Sequence, residues 1–236
     1  MQLFYVTNVD DNTCYLSEEE SKHGVRVLRL KNGDCITVTD GKGNLYDAII
    51  EISDFKCTRI RIIDIHPDYE KRNYHIHIGI APTKNIDRFE WFLEKSTEIG
   101  IDEITPIITE HSERNTVKPD RLERVIISAM KQSLKAYKPE LHPIQSLSNF
   151  FEVNNLSKGL KFIAHCSNGF RPLLKNVYIQ GKDTTIIIGP EGDFSEVEIS
   201  SAIHNGYQSV SLGKSRLRTE TAGITACHTI NLLNEL

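Results

Sequence analysis

Hydrophobic residues recur along the 236-residue chain with two different spacings. Within residues 1–72, short runs at Cys35–Thr39, Leu45–Ile52 and Arg59–Ile65 alternate apolar and polar positions, a pattern that predicts half-buried strands. One helix is expected in this part, because Ser17 and Glu20 have the spacing of a capping box. Short strands packed so closely along the sequence predict a small β-barrel.

The pattern changes after the polar stretch His66–Asn73, which predicts a linker and a domain boundary near residue 72. Beyond it, amphipathic helical stretches begin near Asp87, Asp120 and Ser195, and the last of these has a second capping box. Nearly continuous apolar runs alternate with these helices. The alternation predicts an α/β domain with a mostly parallel sheet covered on both faces. The predicted strands are His75–Ile80, Glu103–Thr109, Lys161–Cys166, Thr184–Ile188 and Gln208–Leu212.

The composition excludes several classes of protein but does not identify a ligand. The chain is 39% hydrophobic and 25% charged, with a formal net charge of -4, so it has no overall basic field for nucleic acid and any such contact must be local. Five cysteines without a CxxC pair predict reduced thiols rather than a disulfide framework or a zinc site. No signal peptide or membrane-spanning run is apparent, so we expect a cytoplasmic protein without a membrane partner.

Two loops that follow apolar strands carry the candidate chemistry. Ile188–Gly192 contains two glycines and a proline, and Leu212–Ala222 places three cations and several hydroxyls before the last helix. Ligands of open α/β sheets bind at the carboxyl ends of strands and at helix N-termini, so the two loops predict one shared site. Neither loop has a Walker A or GxGxxG pattern, which argues against a nucleotide phosphate. The first loop is equally typical of a tight turn between strand and helix.

Individual side chains in these loops allow two interpretations. Arg216 and Arg218 are suited to holding a phosphate or a substrate oxygen. Glu220 is a candidate general base, but it is also a first-turn acid that favours the helix dipole, and Thr219 is also a candidate N-cap. The clustered arginines have no such structural explanation and favour a function.

Some histidines are candidates for binding a metal ion, and one is a candidate for contacting a bound small molecule. His75 and His77 point to the same side of a strand, but no carboxylate or cysteine with ligand spacing accompanies them, so we expect no metal site. His165 and Cys166 stand at the carboxyl end of a strand, where we expect them to line a ligand. No base is identifiable that would make Cys166 a nucleophile.

Several motifs are shared with one known family. The segments are Lys22–His23, Val27–Asp34, Asp40–Gly41, Asp87–Trp91, Lys95, 98–100, Gln132–Ser133, Ile188–Gly192, Leu212–Gly213 and Leu217–Ala222. With these the chain resembles, along nearly its whole length, the RsmE family of 16S ribosomal RNA uracil-N3 methyltransferases, members of the SPOUT superfamily. The two C-terminal motifs together are the most specific part of this resemblance. The chain departs from the family at Ser215-Arg216, where Arg and Ile are usual, and at Asp193, which is often Gly.

The resemblance implies a fold and a reaction. It implies a PUA-like RNA-binding β-barrel at 1–72 and a SPOUT methyltransferase domain at 73–236 with a deep trefoil knot. The cofactor would be S-adenosylmethionine, and the substrate N3 of a uridine in 16S ribosomal RNA of the small subunit. The resemblance also implies a homodimer, with an RNA site shared between the subunits. Alternatives are a SPOUT enzyme with another target, such as a ribose 2′-oxygen, and a non-catalytic RNA-binding factor.

The resemblance also assigns roles to residues. Arg218 would stabilise negative charge on the uracil, and Glu220 is the candidate proton acceptor, with water or a residue of the partner subunit as alternatives. The expected cofactor contacts are His165, Cys166, Ile188, Gly189, Pro190, Glu191, Gly192, Leu212, Gly213, Leu217, Thr219, Thr221 and Ala222. The expected RNA contacts are Arg26, Arg29, Lys31 and Arg88.

Overall fold

The structure, a computed structural model, describes residues 2–10, 12–155, 158–167 and 169–235. The chain forms two compact units, of which the first holds Met1–Lys71 and Ile127–Lys138, and the second holds Arg72–Ile126 and Pro139–Leu236. The sequence analysis had assigned Ile127–Lys138 to the second domain.

The segment Ile127–Lys138 belongs to the first unit because its polar groups pair there. The carbonyl of Ala136 accepts hydrogen bonds from Thr39 Oγ1 at 3.1 Å and from Gly43 N at 3.0 Å. Lys131 pairs with the carboxylate of Glu20. Such tertiary pairings are not encoded in local spacing, so an amphipathic helix alone did not reveal them.

The first unit is built on one curled sheet. Two register shifts in its longest antiparallel pair, after Asp47 and after Ile50, bend the sheet around a core that includes Phe4, Val38 and Ile60. Ser17 caps a short helix by accepting a hydrogen bond from Glu20 N, and a π-helical turn follows. The elements are β1 (Leu3–Tyr5), β2 (Thr13–Tyr15), α1 (Glu18–Lys22), the π turn (His23–Val27), β3 (Cys35–Thr39), β4 (Leu45–Ile52) and β5 (Arg59–His66).

The strand order of this sheet is β1-β3-β4-β5-β2. Among the described residues no ladder joins β1 to β2, so the hydrogen bonding is that of an open curled sheet and not of the closed barrel that the spacing predicts. The three longest strands, β3, β4 and β5, lie where the sequence predicts strands, and they pair antiparallel in chain order.

The second unit is built on a seven-stranded sheet in which every described pair is parallel. The strand order is β12-β10-β11-β6-β7-β8, and β9 also pairs with β7. The predicted parallel sheet is therefore confirmed. Its strands are β6 (Ile76–Ile80), β7 (Glu103–Ile108), β8 (Glu140–Leu141), β9 (Gln145–Ser146), β10 (Leu160–Ala164), β11 (Thr184–Ile188) and β12 (Gln208–Val210).

Helices cover both faces of this sheet. The helices of the second unit are α2 (Ile86–Ile99), α3 (Pro119–Gln132), α4 (Leu147–Val153), α5 (Leu174–Val177), α6 (Glu196–His204) and α7 (Thr219–Glu235). The last residues of α3 belong to the first unit. On one face, Ile80 of β6 packs in a core with Phe92 of α2 and Ile230 of α7. On the other, Ile187 of β11 packs in a core with Phe150 of α4. Because strand side chains alternate between faces, successive isoleucines of one strand serve different cores.

Capping side chains and a glycine mark the ends of the helices. Ser195 and Glu198 form the predicted capping box of α6, with both reciprocal hydrogen bonds present. α2 begins at Ile86, next to the predicted start near Asp87, but its N-cap is Asn85, whose side chain accepts from Asp87 N, and Asp87 itself lies in the first turn. Gly100 ends α2 with φ +119°. Among the described helices, none combines the length and the apolarity that crossing a bilayer requires.

Candidate functional site

A cavity of about 600 Å³ lies at the carboxyl ends of β10, β11 and β12. This volume is in the range of small-molecule sites, and the location is the usual one for ligands of open α/β sheets. Both candidate loops contribute to it. The predicted residues that line it are His165, Cys166, Ile188, Gly189, Pro190, Glu191, Leu212, Gly213, Leu217, Arg218, Thr219 and Ala222.

Three of the predicted catalytic and cofactor-binding residues do not line this cavity. Gly192 is packed against His111, so that a Cβ atom on it would lie 2.9 Å from the Cβ of that residue. Thr221 is half-buried on α7, and Glu220 is buried with 5% of its surface exposed. One oxygen of the Glu220 carboxylate, Oε2, has no hydrogen-bond partner among the described residues. The position of Glu220 thus gives no support to its predicted contact with the reacting atoms.

One hydrogen bond ties the two loops together. The hydroxyl of Thr219 donates to the carbonyl of Gly189 at 3.0 Å, and Thr219 is only 4% exposed. α7 begins at this residue, and Ala222 N donates to Arg218 O at 2.7 Å. The role of Thr219 is therefore to fix one loop on the other at the start of α7.

Asp193 joins a third segment to the site. Its Oδ2 accepts from Cys166 N at 2.7 Å, and its Oδ1 accepts from Phe194 N at 2.9 Å. Asp193 has φ +62°, a left-handed conformation that glycine adopts freely and aspartate tolerates better than most residues. The aspartate at this position therefore links the loop after β11 to the loop after β10.

Buried polar atoms without partners mark the cavity wall. Within the described part of the chain, His165 Nδ1 and two guanidinium nitrogens of Arg171, Nε and Nη1, have none. The other ring nitrogen of His165 shares a hydrogen bond of 3.0 Å with Ser209 Oγ. Burial, and then the charge of Arg171, lower the pKa of His165, so its ring is neutral at pH 7. Buried polar groups are nearly always paired, so these atoms indicate a polar ligand.

Arg171 is the functional candidate that the sequence analysis missed. It belongs to none of the recognised motifs, and its only sequence signal is that it follows a strand that ends at a candidate loop. The other lining residues outside the expected cofactor contacts are Ala164, Asp193, Val210, Ser211, Lys214, Ser215 and Arg216, of which Arg216 is a predicted anion-binding residue.

Arg216 and Arg218 present positive charge at the cavity. Both are exposed, and no described residue forms a hydrogen bond or an ion pair with either guanidinium group. Unpaired guanidinium groups with five donors each are suited to binding the oxygens of an anion or of a polarised carbonyl.

The predicted RNA contacts lie in both units. In the first unit, Arg26 lies in the π turn, Arg29 and Lys31 lie between that turn and β3, and all three are exposed. The guanidinium of Arg26 stacks on the ring of Phe55 at 4.5 Å. Arg88, in the first turn of α2 in the second unit, is partly buried.

Comparisons with known proteins relate this chain to RNA methyltransferases. A family model described as an RNA methyltransferase domain matches residues 70–231, and a model described as an RNA methyltransferase PUA domain matches residues 16–56. The ribosomal RNA small subunit methyltransferase E 2 of Borreliella burgdorferi is 32% identical, over 85% of this chain and 83% of its own length.

Solved structures extend the likeness to the whole fold. The crystal structure of a probable rRNA-methyltransferase from Porphyromonas gingivalis has a TM-score of 0.92 and 41% identity, and covers 100% of this chain and 99% of that one. The ribosomal RNA small subunit methyltransferase E of Neisseria gonorrhoeae, bound to S-adenosyl methionine, has a TM-score of 0.87 and 28% identity, with coverage of 99% and 98%.

Proposed function

The chain belongs to the ribosomal RNA small subunit methyltransferase E family, and on this premise we propose that it methylates N3 of a uridine in 16S ribosomal RNA. The methyl donor is S-adenosylmethionine. The observation that carries the proposal is the cavity at the strand ends, which both loops line and into which His165 and Arg171 bring unpaired polar atoms.

The chemistry of the cavity fits this cofactor. The guanidinium of Arg171 suits the carboxylate of the methionine part, because a buried cation needs an anion. The neutral His165 offers Nδ1 to a hydrogen bond of the nucleoside part. Apolar side chains such as Ile188 and Leu212 suit the adenine ring, and the backbone of the loops supplies further polar groups. Bound there, the cofactor supplies an electrophilic methyl group.

Arg218 is the proposed catalytic residue. Uridine N3 must lose its proton, and negative charge then develops on the uracil oxygens. A guanidinium group held at the cavity without a competing partner stabilises this charge in the transition state. The hydrogen bond from Thr219 to Gly189 holds the neighbouring Arg218 beside the cofactor loops, so its guanidinium group is positioned at the reacting uracil. Because Glu220 does not line the cavity, we assign the proton to solvent water at the open side.

The RNA must present the uracil unpaired, since N3 is engaged in every canonical uridine pair. We propose that Arg26, Arg29 and Lys31 in a PUA-like RNA-binding domain, together with Arg88, contact phosphates and hold such a strand. The three cations of the first unit are exposed, as phosphate contacts require. The ribosomal substrate also implies action in the cytoplasm.

Finer features of the family belong to the same proposal: the SPOUT class, the trefoil knot and the homodimer. Contacts between the segment after β10 and the C-terminal segment support the knot. Leu174 N donates to Ser211 O at 2.9 Å, and Gly181 N donates to Asn234 Oδ1 at 2.7 Å. Trp91 is 45% exposed on α2 and offers apolar surface to a second subunit.

Methyl transfer with labelled cofactor tests the proposed function. Purified chain is incubated with small ribosomal subunits or 16S ribosomal RNA, and the digested nucleosides are separated and identified by mass spectrometry. Label in N3-methyluridine supports the proposal. Label on a ribose 2′-oxygen identifies a different methyltransferase, and RNA binding without transfer or cofactor binding identifies a non-catalytic factor.

Arg171→Ala is expected to weaken binding of S-adenosylmethionine by roughly 10–100-fold, because a charged hydrogen bond contributes about 1.5–3 kcal/mol. Titration calorimetry measures the affinity. Lys175→Ala is the matched control, since this nearby cation is exposed and does not line the cavity, and it should bind as the unmodified chain does. Equal affinity in Arg171→Ala and the control contradicts the assignment.

Replacing Arg26, Arg29 and Lys31 together by alanine is expected to lower the affinity for RNA and to make this affinity less dependent on salt concentration. Three lost phosphate contacts on single-stranded RNA reduce the slope of log affinity against log salt by about 2. Filter binding at several salt concentrations gives the slope. Lys71→Ala is the control, because Lys71 is already paired with Asp68. An unchanged slope in the triple variant excludes these contacts.

A further inference from the structure

A cluster of histidines and carboxylates lies at the amino ends of β6 and β7, at the other end of the strands from the cofactor cavity. Its central members are His77, Glu103 and His142. None of the three lines the cavity. The sequence shows His77 without an acidic partner, but the register of the sheet sets His77 directly beside Glu103. The pairing of β7 with β8 then brings His142 to the same place.

The donor atoms of this cluster converge on one point. One ligand atom from each of the three residues lies within 4.8 Å of the other two. His142 Nε2 lies 2.8 Å from Glu103 Oε2, and His77 Nδ1 lies 3.7 Å from the same oxygen. The rings of His77 and His142 have centroids 5.5 Å apart. Two imidazoles and a carboxylate so arranged are a donor set that Zn²⁺ accepts.

Each of these three residues also has a partner on its far side. The other ring nitrogen of His77, Nε2, shares a hydrogen bond of 2.7 Å with Thr105 Oγ1. The other oxygen of Glu103, Oε1, lies 3.1 Å from His75 Nε2. The other nitrogen of His142, Nδ1, lies 3.7 Å from Glu140 Oε1. Partners of this kind orient ligands and fix histidine tautomers in metal sites.

Two of the three groups are in the charge state that a metal needs, whereas the hydrogen bond to Glu103 raises the pKa of His142, so a metal ion bound there would displace a proton from that ring. Burial lowers the pKa of His77 to about 4, so its ring is neutral at pH 7. Hydrogen bonds from His142 and His75 hold the pKa of Glu103 well below its usual range, so it is an anion. Neutral imidazole and ionised carboxylate are the forms that ligate a metal.

We propose that His77, Glu103 and His142 form a zinc site that is separate from the methyl-transfer site. The side chains of Glu103 and His142 are 29% and 28% exposed, so water can complete a four-coordinate sphere. The ion would join β6, β7 and the segment after β8. Its expected role is to stabilise the second unit, because a ligand that binds only the folded state adds to its stability.

Titration of the untagged, metal-free full-length chain with Co²⁺ tests the proposal. Co²⁺ substitutes for Zn²⁺ and reports its ligands through visible absorption. We expect one Co²⁺ per chain, a tetrahedral visible spectrum without a thiolate charge-transfer band, and displacement by Zn²⁺. Absence of binding by a chain that still binds S-adenosylmethionine overturns the proposal. So does a thiolate band, because Cys35, Cys57 and Cys166 are exposed and offer a competing site.

Two variants locate the ion. His142→Gln removes a ligand and should abolish the visible spectrum, whereas Thr105→Val removes only the partner of His77 and should lower Zn²⁺ affinity roughly 10–100-fold. His66→Gln is the matched control, because His66 belongs with Asp47 and Asp64 to the other group of described residues that has metal-ligand spacing, and it should leave the visible spectrum unchanged. Each variant is checked for folding by its affinity for S-adenosylmethionine. Binding unchanged in both His142→Gln and Thr105→Val places the metal elsewhere and rejects the site.

Discussion

Arg218→Ala is expected to lower the rate of methyl transfer by about 10²–10³-fold, the usual cost of removing one group that stabilises developing charge. Affinity for S-adenosylmethionine should change little. The side chain of Arg218 is exposed at the cavity, and its structural contact with α7 is made by the backbone carbonyl, which accepts from Ala222 N. Alanine keeps that carbonyl, so the start of the helix should survive the substitution.

Single-turnover rates with saturating cofactor isolate the chemical step from binding. Arg218→Lys is the matched control, because it keeps the positive charge and loses the planar fork of donors. We expect a rate between those of Arg218→Ala and the unmodified chain. If Arg218→Ala binds RNA and cofactor normally and also turns over at the unmodified rate, Arg218 has no catalytic role. If only its RNA affinity falls, Arg218 is an RNA contact.

The elements that sequence reasoning located well are those with a strong period or a local polar signal. The run Thr184–Ile188 is a strand with the predicted bounds, because five consecutive β-branched residues followed by Gly and Pro favour a strand over a helix. The capping box at Ser195 is equally local, since both of its hydrogen bonds join residues three apart. The cofactor loops were recognisable because each follows such a strand.

What the sequence did not reveal depends on contacts between distant residues. Arg171 stands outside every motif, and only the structure shows that two of its guanidinium nitrogens are buried in the wall of the cavity. Glu220 is the predicted proton acceptor because it stands with Arg218 between a strand and a helix, and only the structure shows that it is buried at the start of α7, with 5% of its surface exposed. His77 and Glu103 are neighbours only through strand register, which the spacing of apolar residues does not determine by itself.

Gly223→Ala is expected to destabilise the second unit by about 2 kcal/mol, which lowers its melting temperature by roughly 4–8 °C. A Cβ atom at this position of α7 would lie 2.6 and 2.7 Å from ring carbons of Phe92, and 2.9 Å from Ile80 Cδ1. Phe92 and Ile80 are fully buried and have no free space to move into. Alanine adds about 1 kcal/mol of helix propensity. Overpacking costs about 1–3 kcal/mol, and a methyl group fixed on the backbone against two fully buried side chains belongs at the upper end. A clash of about 3 kcal/mol less a gain of about 1 kcal/mol leaves the net loss of about 2 kcal/mol.

Scanning calorimetry measures this effect, and Gly24→Ala in the π turn of the first unit is the matched control. A Cβ atom on Gly24 would meet its nearest neighbours at 3.5–3.7 Å, which is ordinary contact, so little change is expected. A fall in melting temperature of the same size in both variants would contradict the packing argument.

The same substitution should also weaken the binding of S-adenosylmethionine. α7 begins at Thr219, and the hydroxyl of this residue holds the carbonyl of Gly189 in the other cofactor loop. A helix displaced from Phe92 carries Thr219 with it and strains that hydrogen bond. Since a ligand raises stability by an amount that depends on its affinity, the cofactor should raise the melting temperature of Gly223→Ala less than that of the unmodified chain. An equal increase would mean that α7 shifts without moving the site.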